Sequence, residues 1–94
     1  MTTYYLLFYR TVEGFIEKRQ AHREAHLSWV RQAHENGDFM MGGALDEPDN
    51  EAVLLFRGDN PETAKAFAEG DPYVRAGLVT SWEVRPWRVA VGGE

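Results

Sequence analysis

The order of the predicted secondary-structure elements is the feature that most restricts the fold of this chain. The aromatic and aliphatic run at residues 4–9 is typical of a strand, and residues 15–36, without glycine or proline, are typical of one long helix. Two strands, a helix that ends at Gly70 and a last strand follow, at residues 39–45, 52–56, 59–70 and 78–89. The order β-α-β-β-α-β predicts an α+β, ferredoxin-like fold, with two helices on one face of a four-stranded antiparallel sheet.

The first strand is apolar on both of its faces. An antiparallel sheet with one face in water should alternate apolar and polar residues. Here both alternating sets are apolar, namely Tyr4, Leu6 and Phe8 on one face and Tyr5, Leu7 and Tyr9 on the other. Because two helices can cover only one face, we predict a homodimer, open to higher assembly, whose sheets meet as a dimeric α/β barrel. The alternative is a monomer with an unusually apolar sheet.

Length and composition exclude several classes of protein. A chain of 94 residues predicts a single domain over residues 1–94. The absence of cysteine excludes disulfides and thiolate chemistry, and the net charge of −5 argues against nucleic acid as a partner. The third strand also lacks the aromatic pattern of RNA-recognition modules. With no secretion signal and no membrane-length apolar run, we expect a cytoplasmic protein without a membrane partner.

The apolar side of the long predicted helix contains three polar residues. At 100° per residue, Arg19, Arg23 and His26 fall in the arc that also holds Phe15, Ile16, Leu27, Val30 and Ala33. A cationic side chain directed at a core is costly unless it is paired or faces a water-filled pocket. The pattern therefore favours a polar pocket between helix and sheet. The alternative is that these side chains form structural pairs, with one arginine extending its charged end to the rim of the core.

The chemistry that such a pocket favours is proton transfer on an anion. Two arginines suit a negatively charged molecule, and His26 is the natural proton carrier near neutral pH. A carboxylate that orients the imidazole would complete the site. Asp71 is a candidate because it lies at a Gly-Asp-Pro-Tyr corner, although an aspartate before Pro72 is equally typical of a helix N-cap.

Other kinds of site find less support. His22 and His26 are four residues apart, but the order His-Arg-Glu-Ala-His is not that of a metalloprotease and no third ligand is evident, so we predict no metal. Gly42 and Gly43 lie within a strand, which predicts a bulge or a close backbone approach rather than a phosphate loop. Haem binding would require a free His26, and we predict no cofactor.

The chain resembles the YciI-like (YCII-related) family. The matching segments are Tyr4-Tyr5, Glu17-Lys18-Arg19, Arg23-Glu24-Ala25-His26-Leu27, Asp71-Pro72-Tyr73-Val74, Ala76-Gly77-Leu78 and Val84-Arg85-Pro86-Trp87. The resemblance implies a dimeric α/β barrel with a His–Asp pair as active site, which falls on His26 and Asp71. The chain departs from the family pattern where Gly42-Gly43-Ala44-Leu45 replaces an expected Ala-Gly-Pro, at a wall of the expected pocket. Substrate identity is therefore not carried over.

Two functional hypotheses result from the residues and the resemblance together. The first is a small cofactor-independent lyase or isomerase that acts on a compact anionic or enolisable molecule. His26 would be the catalytic acid or base, Asp71 its carboxylate partner, and Arg19, Arg23 and Tyr73 would bind the substrate. The second is a non-catalytic module that binds a small ligand, for sensing or regulation, in the same pocket.

Overall fold

The computed structural model describes residues 3–93 and shows the predicted α+β architecture. Its strands are β1 (Thr3–Thr11), β2 (Phe39–Ala44), β3 (Glu51–Arg57) and β4 (Val79–Arg88). Its helices are α1 (Phe15–Lys18), α2 (Arg23–Glu35), α3 (Glu62–Gly70) and α4 (Pro72–Arg75), and a 3₁₀ turn, Arg19–His22, joins α1 to α2. The strands form one antiparallel sheet in the order β2-β3-β1-β4. The central strands are therefore the first and third along the chain, as in a ferredoxin-like fold.

The helices pack on one face of the sheet and enclose the core. Alternate residues of β1 point into this core because side chains alternate across a strand. The main buried contributors are Tyr5, Leu7 and Tyr9 from β1, Leu54 and Phe56 from β3, and Phe15, Phe67 and Tyr73 from the helices. The core is thus rich in aromatic rings, several of them in edge-to-face contact.

The prediction of one unbroken helix over residues 15–36 is wrong. The chain tightens into the 3₁₀ turn, and α2 begins only after His22, whose backbone (φ −117°, ψ 4°) leaves the α-helical region. Phe15, the buried residue of α1, is held by an edge-to-face contact with Tyr73 of α4. The bend occurs among residues that all tolerate helix, so helix propensity does not set it. Gly37, with φ +85°, ends α2 in the predicted left-handed stop.

The start of α3 also differs in detail from its sequence signature. Asp59 with Glu62 has the spacing of a capping box, but the backbone amide of Glu62 donates instead to Oδ1 of Asn60, at 2.9 Å. Pro61 precedes the first helical residue. The helix buries Ala64, Phe67 and Ala68, and it ends at Gly70 as predicted.

The second face of the sheet carries no helix and is apolar along β1, β2 and β3, whereas β4 places Glu83 beside Phe8 and Arg85 beside Leu6. The register places Leu6 beside Leu55 and Phe8 beside Val53 on this face. A shallow groove there is lined by Leu6, Val53 and Leu55 together with Met41 and Trp87. These six apolar residues form what we call the open face. Met41 is 66% exposed and Trp87 46% exposed. Within residues 3–93, no helix is both long and apolar enough to cross a membrane.

Candidate active site

Asp71 lies at the corner between α3 and α4 and is fully buried. Its extended backbone (φ −64°, ψ 124°) ends α3 after Gly70 and begins α4, with Pro72 at the first helical position. Its Oδ1 accepts a hydrogen bond from the backbone amide of Tyr73 at 2.9 Å. Asp71 is therefore a helix N-cap, one of the two roles that the sequence leaves open.

The same Asp71 side chain also meets His26, across 45 residues of sequence. His26 Nδ1 lies 2.8 Å from Asp71 Oδ1, with the histidine side chain 14% exposed. An ionised carboxylate only accepts hydrogen bonds, so the hydrogen of a neutral His26 ring resides on Nδ1. Nε2 then keeps its lone pair, which is the state required of a general base.

Tyr9 is a third member of this cluster, and the sequence does not single it out. Its hydroxyl donates to Asp71 Oδ2 at 2.7 Å, so both carboxylate oxygens are engaged. Burial raises the pKa of Tyr9 well above its ordinary value, and the negative charge and hydrogen bond of Asp71 raise it further. Tyr9 is thus a permanent donor in the pH range of most enzymes. The sequence indicates only that Tyr9 shares a face of β1 with Tyr5 and Leu7, the face that packs into the core.

Tyr73 packs flat against the His26 ring. The two ring centroids are 3.8 Å apart and the planes are 9° from parallel. Tyr73 is 3% exposed, and its ring also meets Phe15 in an edge-to-face contact. This stacking on His26 fixes the orientation of the imidazole ring. The predicted substrate-binding residue is therefore placed beside the histidine, with its ring at the cavity wall.

The two arginines reach the same cavity from the start of the helical segment. Arg23 Nη1 is 3.4 Å from the Tyr73 hydroxyl, a long contact. The Arg19 guanidinium carbon lies 5.6 Å from the centre of the Phe15 ring, and Arg19 Nε is buried without a partner among residues 3–93. No carboxylate of the described residues forms an ion pair with either arginine. Both cations are therefore available to a bound anion.

A cavity of about 230 Å³ connects these side chains. One part of its wall is formed by Tyr9, Arg19, Arg23, His26 and Tyr73, and the rest is apolar, with Phe15, Leu27, Val30, Phe39, Ala52 and Leu54. Gly42 and Gly43 of β2 complete the wall of the cavity. A Cβ at Gly42 would lie 3.0 Å from the Phe39 ring, so glycine allows the backbone to approach that ring closely, in agreement with the prediction. Four of the five predicted site residues thus line one cavity, and the fifth, Asp71, is buried behind the wall in contact with His26. Their roles in catalysis and binding stay predictions.

The arrangement can move a proton at one end of an apolar cavity. Nε2 of His26 can accept a proton from a bound molecule, and Asp71 stabilises the resulting imidazolium. Among residues 3–93, no three histidine, aspartate or glutamate side chains converge as metal ligands. His22 is in the 3₁₀ turn and not at the cavity wall.

Comparison with known sequences identifies the family. The model of the YCII-related domain matches residues 3–88. The chain belongs to the YCII-related family. Among YCII-related relatives, an uncharacterised protein of Haemophilus influenzae is 29% identical over 94 aligned residues, which cover 90% of this chain and 96% of the relative. Protein YciI of Escherichia coli is 26% identical over 93 residues, covering 89% and 95% of the two chains.

Solved structures share the fold of this YCII-related protein. The 5-chloro-2-hydroxyhydroquinone dehydrochlorinase of Burkholderia phenoliruptrix, in complex with 2,5-dihydroxybenzoquinone, superposes with a TM-score of 0.73 at 20% identity, over 90% of this chain and 93% of the enzyme. A NIPSNAP family protein of Agrobacterium tumefaciens gives a TM-score of 0.61 at 15% identity, over 94% and 92% of the two chains. These likenesses confirm the predicted ferredoxin-like fold of the chain.

Proposed function

We propose that this YCII-related protein is an enzyme that removes a proton from a compact anionic or enolisable molecule. His26 Nε2 is the general base, Asp71 holds the ring and its charge, and Arg19 and Arg23 bind the negative charge of the substrate. The observation that carries the proposal is the 2.8 Å contact between His26 and the buried Asp71, beside a cavity whose two arginines form no ion pair with the described residues. A histidine oriented by a buried carboxylate is a recurring acid–base device.

The size of the cavity supports a substrate no larger than a substituted six-membered ring. An apolar cavity of about 150 Å³ holds benzene, and this cavity is about 230 Å³. Phe15 and Phe39 supply apolar walls for such a ring. The arginines can donate hydrogen bonds to an ionised hydroxyl or carboxylate at the edge of the ring. The enzyme with the similar fold from Burkholderia phenoliruptrix acts on a ring of this class, which supports the proposal without transferring its substrate.

The reaction class is elimination or isomerisation. The proton of a C–H bond next to a carbonyl or an enol passes to His26 Nε2, and its electron pair forms a carbon–carbon double bond. In an elimination a leaving group departs with its own bonding pair, and the imidazolium then passes its proton to the leaving group or to water. In an isomerisation the imidazolium returns the proton to another carbon. His26 therefore ends each cycle neutral, and the reaction balances without an oxidant or reductant.

We further propose that the protein is a homodimer joined through the open face. Leu6, Phe8, Val53 and Leu55 form a continuous apolar surface that no helix covers, and Met41 and Trp87 project from it. Monomeric proteins rarely expose a contiguous apolar patch of this kind. A second copy of the same chain covers it by twofold symmetry.

Hydrogen–deuterium exchange tests the enzyme proposal against the binding-module alternative. The purified protein is incubated in D₂O with small hydroxyaromatic and hydroxy acids, including 2,5-dihydroxybenzoquinone, and loss of carbon-bound hydrogen is followed by NMR. We expect exchange with at least one compound, lost in His26→Gln and retained in the control His34→Gln, which changes a histidine outside the cavity. Binding of these compounds without exchange in the native protein would instead establish a ligand-binding module.

A further inference from the structure

A second contact, between Trp29 and Gly70, lies next to the His26–Asp71 pair. Trp29 follows His26 by three residues on α2, and Gly70 directly precedes Asp71. We infer that packing of Trp29 onto Gly70 sets the distance between His26 and Asp71, so that Trp29 and Gly70 are positioning residues of the site. The inference rests on the proposed function for its meaning, but its geometry can be tested separately.

Trp29 lies closer to Gly70 than a side chain at position 70 would allow. A Cβ built on Gly70 would be 2.4 Å from Trp29 Cζ2 and 2.6 Å from Cη2, whereas real Cβ contacts essentially never fall below 3.0 Å. The indole Nε1 of Trp29 donates to the Phe67 carbonyl at 3.0 Å. This carbonyl belongs to the last turn of α3, where carbonyl groups lack partners within the helix. The tryptophan is therefore held against the end of α3 by both packing and a hydrogen bond.

The close approach explains why glycine occupies position 70. Gly70 is the last residue of α3, and it is not among the described glycines with positive φ. Its conformational freedom is thus not required by the turn. In a helix, alanine is more favourable than glycine by about 1 kcal/mol, so local propensity favours alanine here. The missing Cβ has instead a steric use, which is to admit the Trp29 ring.

The His26–Asp71 contact is sensitive to a small displacement at this point. His26 and Trp29 lie on the same side of α2, since residues three apart are neighbours on a helix surface. To bring a new Cβ at position 70 from 2.4 Å to 3.0 Å, the ring and the corner must separate by about 0.6 Å. Transmitted to His26, that displacement would lengthen its 2.8 Å contact with Asp71 to about 3.4 Å. Ordinary hydrogen bonds of this type lie at about 2.7–3.2 Å.

The experiment is Gly70→Ala, read out by the tautomer of His26 in the ¹⁵N NMR spectrum of the full chain with the ring neutral. The His26 signals are assigned with substitutions of His22 and His34. Native protein should show a single Nδ1–H tautomer, and Gly70→Ala should lose it to a mixture of both tautomers. The matched control is Gly43→Ala, which adds the same methyl group where no heavy atom lies within 4 Å and should leave the tautomer unchanged.

A rescue variant separates repositioning from misfolding. Phenylalanine lacks the Cζ2 and Cη2 atoms that obstruct the new Cβ, so adding Trp29→Phe to Gly70→Ala should restore folding and the Nδ1–H tautomer. The inference is overturned if Gly70→Ala keeps the native tautomer, or if the double variant fails to recover it. A native protein without the Nδ1–H tautomer is a different result, because it would remove the dyad on which the proposed function itself depends.

Discussion

The hydroxyl of Tyr9 should stabilise the protein at neutral pH and lose this effect in alkali. Tyr9→Phe removes the hydrogen bond to Asp71 and leaves a buried carboxylate oxygen without its donor. Hydrogen bonds to charged groups contribute about 1.5–3 kcal/mol. We therefore expect the free energy of unfolding to fall by about that amount at pH 7.

The pH dependence is determined by the raised pKa of Tyr9. In the unfolded chain a tyrosine ionises near its ordinary pKa of 10.0, whereas folded Tyr9 keeps its proton because burial disfavours the phenolate and ionisation would place a second negative charge beside Asp71. Above pH 10 the unfolded state therefore binds fewer protons than the folded state at this residue, and stability decreases as pH rises. The loss is about 0.4 kcal/mol at pH 10 and about 1.4 kcal/mol at pH 11. Since Tyr9→Phe lacks this loss, the difference between the two proteins should shrink accordingly.

Urea denaturation of both proteins from pH 7 to pH 11 measures this difference. The control is Tyr5→Phe, which removes the hydroxyl of another buried tyrosine on the same face of β1. No residue of the described chain accepts a hydrogen bond from Tyr5, so its substitution should cost less than about 1 kcal/mol at pH 7. A Tyr9→Phe deficit that is absent at pH 7, or that stays constant to pH 11, would refute the reasoning.

Two further predictions test the open face and the packing of β2 at the cavity. Leu55→Glu places a charge on the open face and should convert the proposed dimer to a monomer in sedimentation equilibrium. The control Ala66→Glu changes an exposed residue of α3 and should leave the assembly unchanged. A native protein that already sediments as a monomer contradicts the proposed dimer. Gly42→Ala brings a methyl group to 3.0 Å from the Phe39 ring and should destabilise the fold by about 1–3 kcal/mol in urea denaturation. Gly43→Ala should cost less than about 0.5 kcal/mol, and equal costs at the two glycines would contradict the packing.

The sequence predicts the fold well because its signals are local and agree with one another. Apolar runs define the strands, Gly37 and Gly70 end the helices, and the element order leaves few arrangements of the sheet. The bend at residues 19–22 is not predictable in this way, because every residue there is compatible with helix. The cap of α3 is not fixed by the sequence either, since Asp59 and Asn60 are both good caps and only the loop conformation chooses between them.

The candidate site was predictable in part. Arg19, Arg23 and His26 stand out as polar residues on an apolar helical arc, a signal that remains even though the helix bends. Tyr9 and Trp29 carry no comparable signal, because an aromatic residue facing a core is ordinary. Their roles depend on hydrogen bonds to residues 62 and 38 positions away in the sequence, which the chain order alone does not reveal.

Asp71 shows how this fold can prepare a site before any ligand arrives. Its N-cap bond to the amide of Tyr73 and the Tyr9 hydroxyl together fix both carboxylate oxygens, so the side chain loses no rotational freedom when it meets His26. The residue that receives the cap, Tyr73, also stacks on the His26 ring. The start of α4 therefore orients the carboxylate and the imidazole in one local structure. A site oriented in this way avoids reorganisation during proton transfer, which is the condition under which electrostatic stabilisation is most effective.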